Sequence, residues 1–465
     1  MRLFAAALLL STVAAHSQLT PDTEAKVAAA AEKVLHDTGV PSASVGIAQN
    51  GKVIYARAFG LATITPPKPA TASMAYPIGS ISKQFTATAA LLLQQEGKLS
   101  LDDKVSKYFP ELTRANEVSL RNLMTMTSGY EDDLPQDYII PALRRPTTPE
   151  KVIHEWATKP LDFDPGSQWQ YSNTNYAIVA LIVQKVAGVP FAQFLRERVL
   201  APLELQGVFN TYTQREKLEV TGYVSNAMAP PRVLPLEAPG WYVGDGDLAM
   251  PASTLLAWDI AIMHQSLLSP ASYKELETPF VLTTGVSSGY GLGVRIRMRN
   301  GHRELEHGGE VGGYVAENAV YPDDGVAIVV LTNQVASTAA GEIVNALTPL
   351  VIPAAAAPTA AATPTDTFAP QLTAILSGLQ QGHIDRALLT PNCTAYFDAD
   401  TLADFQSTLA PLGTVVSATR TNSSPRGGMV FSGYRVAFSG GTTVLVSVAL
   451  KPDGKIEQLL VIGKA

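Results

Sequence analysis

Ser80 and Lys83 lie three residues apart in Tyr76-Pro-Ile-Gly-Ser-Ile-Ser-Lys-Gln-Phe85. Residues at that spacing share one face of a helix. A serine hydroxyl is a poor nucleophile until a base takes its proton, and a desolvated neutral lysine can do so. About one Ser-x-x-Lys is expected by chance in a chain this long, yet Ser80 is the only serine here with a lysine at plus three. From Gln84 the chain runs through helix formers to Gly97, in the position of a C-cap. The match therefore falls where a helix opens, and the helix is expected to start at Ser80.

Two more segments carry polar groups with chemical use. Asp164-Pro-Gly-Ser-Gln-Trp-Gln-Tyr-Ser-Asn173 is turn-rich and leads into the apolar run Ala177-Ile-Val-Ala-Leu-Ile-Val. Tyr171 and Asn173 within it can aim a phenol and an amide at one spot if the backbone between them is extended. Glu306-His-Gly-Gly-Glu310 ends a short expected strand, and glycines there let a ligand approach the backbone N–H groups. A competing motif, Gly285-Val-Ser-Ser-Gly289, has the pattern of a nucleophile elbow. An elbow needs a strand before it and a helix after it, whereas Ser287 is followed by an extended, Gly-rich segment. It reads as a loop.

In chain order, Ser80-x-x-Lys83, Tyr171-x-Asn173 and His307-Gly-Gly309 resemble the serine β-lactamase and penicillin-binding-protein superfamily. The resemblance is nearest to the branch of class C β-lactamases, D-peptidases and β-lactamase-like esterases. It covers roughly 19–350, and Glu96–Pro110, Leu120–Gly129 and Gly246–Trp258 share in it. It implies an α/β fold, an antiparallel sheet flanked by helices plus an all-helical subdomain. It also implies acyl transfer through an acyl-Ser80 intermediate, with Lys83 and Tyr171 managing the proton and Asn173 orienting Lys83 or the substrate. The N–H groups of Ser80 and Glu310 would form the oxyanion hole, beside Gly309 and His307. The substrate would be a short-chain ester, a D-amino-acid peptide of the cell wall or a β-lactam. The alternative is a peptidoglycan- or β-lactam-binding sensor with little turnover.

Where some β-lactamases place a lysine beside the substrate carboxylate, this chain has His307, with Glu310 close by. Both changes weaken attraction for an anion. Arg295, Arg297 and Arg299 alternate on one expected strand; one of them could bind a carboxylate, although a solvated strand face is the favoured reading.

Composition sets the remaining bounds. The 465 residues are 46% hydrophobic, and 41 acidic against 34 basic side chains argue against a nucleic-acid partner. Residues 1–17 combine one arginine, a short apolar run and small residues, which predicts a signal peptide and export to the periplasm or medium. That run is too short to span a membrane, so no integral membrane segment is expected after cleavage. Cys393 is the only cysteine; it leaves no intramolecular disulfide, no Cys-based metal site and no expected cofactor.

The hydrolase-like region is expected over 18–351 and a Pro/Ala/Thr linker over 352–368. A small α+β domain follows over 369–465 and resembles the nuclear-transport-factor-2-like folds. Two helices (370–381 and 401–412) and strands at 429–438, 442–450 and 458–462 are expected there. No catalytic grouping is visible in it. It reads as an appendage whose removal leaves the rest active.

Overall fold

The Asn50-Gly51 dipeptide joins β1 (Ser42–Gln49) to β2 (Lys52–Thr63) as a tight antiparallel hairpin, as two β-prone runs across Asn-Gly predict. In the computed structural model, which describes residues 19–352 and 366–464, this hairpin belongs to a seven-stranded sheet. The remaining long strands come from late in the chain: β3 (Arg295–Arg299), β4 (His302–Val311), β5 (Tyr314–Tyr321) and β6 (Val326–Thr332). Starting from a short edge strand at Lys68–Pro69, the order is β2, β1, β6, β5, β4, β3, antiparallel throughout. Residues 1–17, expected as a signal peptide, and most of the 352–368 linker lie outside the described residues.

Along the chain come α1 (Pro21–Thr38), α2 (Ser82–Gln95), α3 (Asn173–Ala187), α4 (Ala252–Met263) and α5 (Ala339–Val351). α1 and α5 cover one face of the sheet around Val45, Ile47, Ile328 and Val330. α4 covers the other face, so every residue of β6 is buried. That explains why Val326-Ala-Ile-Val-Val-Leu-Thr332 is apolar throughout, without the alternation of a half-exposed strand. α2 is buried from Ser82 to Leu93 and α3 from Asn173 to Val183. Helices enclosed on all sides carry apolar residues all round. Phe85 stacks on Trp258 at 4.1 Å, and the Trp258 indole donates to Gln84 Oε1 at 2.9 Å, fixing α2 against α4.

The C-terminal unit has three helices, α6 (Ala369–Leu379), α7 (Pro391–Tyr396) and α8 (Ala399–Leu409), with a core of its own around Leu376, Phe397, Phe405 and Val446. They precede an antiparallel meander of β7 (Val415–Arg426), β8 (Met429–Phe438), β9 (Thr443–Leu450) and β10 (Ile456–Lys464). α7 and β7 are absent from the sequence expectation. β7 reads Val-Val-Ser-Ala-Thr-Arg-Thr-Asn-Ser-Ser-Pro-Arg, mostly polar and largely exposed, so it has no apolar alternation to mark it. Its turn is marked: Gly427-Gly428, both at positive φ (57° and 67°), close a two-residue hairpin.

One glycine holds α2 to the sheet. A Cβ on Gly309 of β4 would collide with the Ile78 carbonyl oxygen and stand 3.2 Å from the Ser80 nitrogen. Gly309→Ala should therefore force the start of α2 away from β4 and cost about 1–3 kcal/mol, as overpacking does. Ser287→Ala, at an exposed loop position, should stay within about 0.5 kcal/mol of the parent. Urea midpoints of the two variants check the contrast.

Candidate active site

Gly79–Ile81 forms one 3-10 turn, and α2 starts only at Ser82. The expectation of a helix opening at Ser80 is corrected by this turn. The juxtaposition survives, because a 3-10 turn eclipses residues three apart. Lys83 Nζ donates to Ser80 Oγ at 3.1 Å, to Asn173 Oδ1 at 2.6 Å and to the Asp245 carbonyl oxygen at 2.8 Å. Lys83 is fully buried, and three acceptors match the three protons of an ammonium. When the amine is neutral, its lone pair can face Ser80 and accept the hydroxyl proton. Burial pushes the nearby Asp245 carboxyl up to about 7, against the pull of Lys83.

Ser172 is extended (φ −152°, ψ 119°) and precedes the first residue of α3, which brings Tyr171 and Asn173 to the same lysine. The Tyr171 ring centre lies 5.0 Å from Lys83 Nζ, and its buried hydroxyl has no protein partner among the described residues. The Asn173 amide is pinned from behind. Its Nδ2 donates to Asp132 Oδ1 at 3.0 Å, and its backbone N–H donates to the same oxygen at 2.8 Å. A carboxylate at the N-terminus of α3 also complements the helix dipole. Asp132 was not foreseen; nothing in Glu131-Asp-Asp133 marks one carboxylate over its neighbours.

β4 supplies the opposite wall. The His307 ring sits 6.1 Å from that of Tyr171. Its Nδ1 lies 2.6 Å from the Gly308 carbonyl, which can only accept, so Nδ1 carries the proton and Nε2 accepts from the Tyr290 hydroxyl at 2.9 Å. Burial, reinforced by the charge of Lys83, pushes the imidazole pKa down to about 3. His307 is thus a neutral wall, not a cation. A Cβ on Gly79 would lie 2.6 Å from the Glu310 nitrogen, so the Ser80 and Glu310 N–H groups both border the contact at Gly309. The Glu310 carboxylate turns aside to accept from the Ala336 N–H at 3.1 Å. Burial and the charge of Asp137 push its pKa up to about 8. Its negative charge is therefore weakened at neutral pH, and the expected lack of attraction for an anion rests on the neutral His307.

These groups line a cleft of about 350 Å³ that also takes in Trp169, Glu237, Arg295 and Phe431. Of the three alternating arginines, Arg297 and Arg299 pair with the buried Glu304 at 2.5 and 2.9 Å. Arg295 alone reaches the cleft, over the Trp169 ring at 5.0 Å. Ser287 lies on an exposed loop with no helix after it, as an elbow would require. Among the described residues no cluster of His, Cys, Asp or Glu could hold a metal, and no single helix is long and apolar enough to cross a membrane.

The C-terminal unit, given no part in the site by the sequence, lines it. Ser424, Pro425 and Arg426 at the end of β7, with Phe431 of β8, form part of the cleft wall. The Arg426-Gly-Gly-Met429 turn was the available signal for this hairpin, but not for where it docks.

Comparison with known proteins agrees with this geometry. The Beta-lactamase family profile matches residues 27–350. The chain is 28% identical over 302 residues to "Penicillin-binding protein 4*" of Bacillus subtilis (strain 168), covering 62% of this chain and 67% of that protein. It is 29% identical over 219 residues to "Protein flp" of Staphylococcus aureus (strain MW2), covering 46% of this chain and 44% of that protein. The match thus spans less than half of flp. In fold it resembles a D-stereospecific amidohydrolase from Streptomyces sp. (TM-score 0.60, 24% identity, 69% of this chain and 97% of the other). The octameric penicillin-binding protein homologue from Pyrococcus abyssi has TM-score 0.60 at 20% identity and covers 95% of this chain and 98% of its own. The chain belongs to the serine β-lactamase and penicillin-binding-protein superfamily and is a serine hydrolase of that type.

Proposed function

We propose that this protein is an exported hydrolase that cleaves an ester or amide through an acyl-Ser80 intermediate. The observation that carries the proposal is the buried Lys83 amine, held 3.1 Å from Ser80 Oγ by Asn173 and the Asp245 carbonyl. As Ser80 Oγ attacks the substrate carbonyl, its proton passes to Lys83. Tyr171, with its hydroxyl free of protein partners among the described residues, relays a proton to the departing alcohol or amine. The N–H groups of Ser80 and Glu310 receive the developing oxyanion; one such donor is worth about 3 kcal/mol in acyl transfer. Water then attacks the acyl-serine, its proton passing through the base to Ser80 Oγ as the acyl–oxygen bond breaks and the acid is released.

The charge of the cleft supports uncharged acyl donors over anionic ones. His307 is neutral, so no cation stands on β4 where a penicillin or cephalosporin carboxylate would lie. Arg295 is the one cleft arginine without an ion-pair partner among the described residues, and it is the competing receptor for a carboxylate. One solved fold neighbour is a D-amino acid amidase from Ochrobactrum anthropi complexed with L-phenylalanine amide. A D-amino-acid amide is therefore the amide to test beside a short-chain ester.

Ser80→Ala should abolish turnover with the fold intact, since a turn serine contributes at most about 1 kcal/mol, while Ser287→Ala should retain full activity. An inactive, folded Ser287 variant would return the nucleophile to the elbow. Lys83→Ala and Tyr171→Phe should each cost several orders of magnitude in acylation. Their combined loss should fall far short of the product of the separate losses, as for groups that act as a unit; pre-steady-state acylation rates of the four proteins test this.

Nitrophenyl butyrate should be hydrolysed roughly 10- to 100-fold more efficiently than nitrocefin, the value of one missing charge-assisted contact of about 1.5–3 kcal/mol. His307→Lys should narrow the gap. Because Glu310 has a pKa of about 8, raising the pH through that value adds a negative charge to the cleft. The preference for the neutral ester should therefore widen above pH 8 and narrow below it, and Glu310→Gln should weaken the dependence, leaving the part carried by Glu317, another cleft residue that burial pushes up to about 8. If nitrocefin is the better substrate at neutral pH, the charge argument fails and Arg295 becomes the carboxylate receptor.

A further inference from the structure

The guanidinium of Arg426 reaches from the C-terminal unit to the back of the catalytic groups. Its Nε donates to Asp132 Oδ2 at 2.9 Å, one terminal nitrogen to Asp137 Oδ1 at 3.0 Å and the other to the Leu134 carbonyl at 2.6 Å. Its carbon lies 5.4 Å from the Tyr171 ring centre, and Tyr171 and Arg426 form a parallel β-bridge. With carboxylates on two sides, Arg426 is spent on protein partners and is poorly placed to receive a substrate anion. Asp132 is fully buried. Its Oδ1 accepts the Asn173 N–H groups while its Oδ2 accepts Arg426.

This carboxylate decides which way the Asn173 amide points. An ionised carboxylate only accepts, so it takes the NH2 end and turns Oδ1 toward Lys83 Nζ. With the amide reversed, an NH2 group would face the amine and one of the three acceptors that hold Lys83 would be lost. Removing the cation from a buried ion pair leaves a charge that is strongly unfavourable. Without Arg426 to fix Oδ2, the carboxylate can turn away from Asn173 and release the amide that it orients.

We propose that Arg426 is a positioning residue of the acyl-transfer site, acting through Asp132 and Asn173 to hold Lys83 against Ser80. The C-terminal unit is then part of the catalytic apparatus. Other contacts clamp the same loop: Tyr138 Oη donates to the Glu457 carbonyl at 2.8 Å, and the Asp137 N–H to Gln458 Oε1 at 2.8 Å. The proposal rests on the hydrolase reading above, and wild-type turnover with its loss in Ser80→Ala settles that reading independently.

The test uses the full chain. Arg426→Ala should lower the acylation rate about 100-fold, the scale of a misplacement near 1 Å, equally for esters with good and poor leaving groups. Millimolar guanidinium should restore part of that rate. Asp132→Asn should lower it without responding to guanidinium, and the double variant should be no worse than the poorer single one. Arg435→Ala removes an exposed arginine from β8 of the same unit and should change nothing. If Arg426→Ala is insoluble, Arg426→Lys carries the test, with an intermediate rate at unchanged KM expected. Wild-type rates in a folded Arg426 variant would overturn the proposal. So would a loss that tracks the unfolded fraction and ignores guanidinium, or a change confined to KM.

Discussion

An amine taken wholly out of water must find its hydrogen-bond acceptors inside the protein, and the arrangement around Lys83 answers that demand. One acceptor is the Ser80 hydroxyl, one an amide at the start of α3 and one a main-chain carbonyl. The acceptors come from three distant parts of the chain, so the turn before α2, the start of α3 and the loop at Asp245 have to be in place before the lysine is satisfied. The close approach of β4 to the residues before α2 sets the remaining distance. Glycine at 309 permits that approach, and a methyl group there would obstruct it.

Much of this was legible in the sequence because it is local. Ser80 and Lys83 are three apart, Tyr171 and Asn173 two apart, and His307 and Glu310 share one strand, so spacing fixes the geometry within each pair. The β1–β2 hairpin and the apolar β6 were readable for the same reason. The start of α2 was misjudged by two residues, since a 3-10 turn and an α-helix favour the same side chains. The electrostatic state of Glu310 was not readable. It depends on burial and on Asp137, which lies far away in sequence.

The part of the site least visible beforehand comes from β7. Its residues are polar and mostly exposed, so the usual signals of strand and core are missing. What gives Arg426 its place is a partner almost three hundred residues earlier, and pattern reading within a window cannot find such a pair. The charges tell the same story after the fact: one arginine of the C-terminal unit bridges two carboxylates, Asp132 and Asp137, of the other.

The sequence separation of those contacts, 289 to 321 residues, bears on the order of assembly. Closing loops of that length is entropically late, and the chain emerges from its N-terminus first. Ser80 and Lys83 can therefore meet while the loop from Asp132 to Tyr138 is still unclamped. A growing or partly folded chain would carry Ser80 and Lys83 in a slack setting until its last residues had been made and docked.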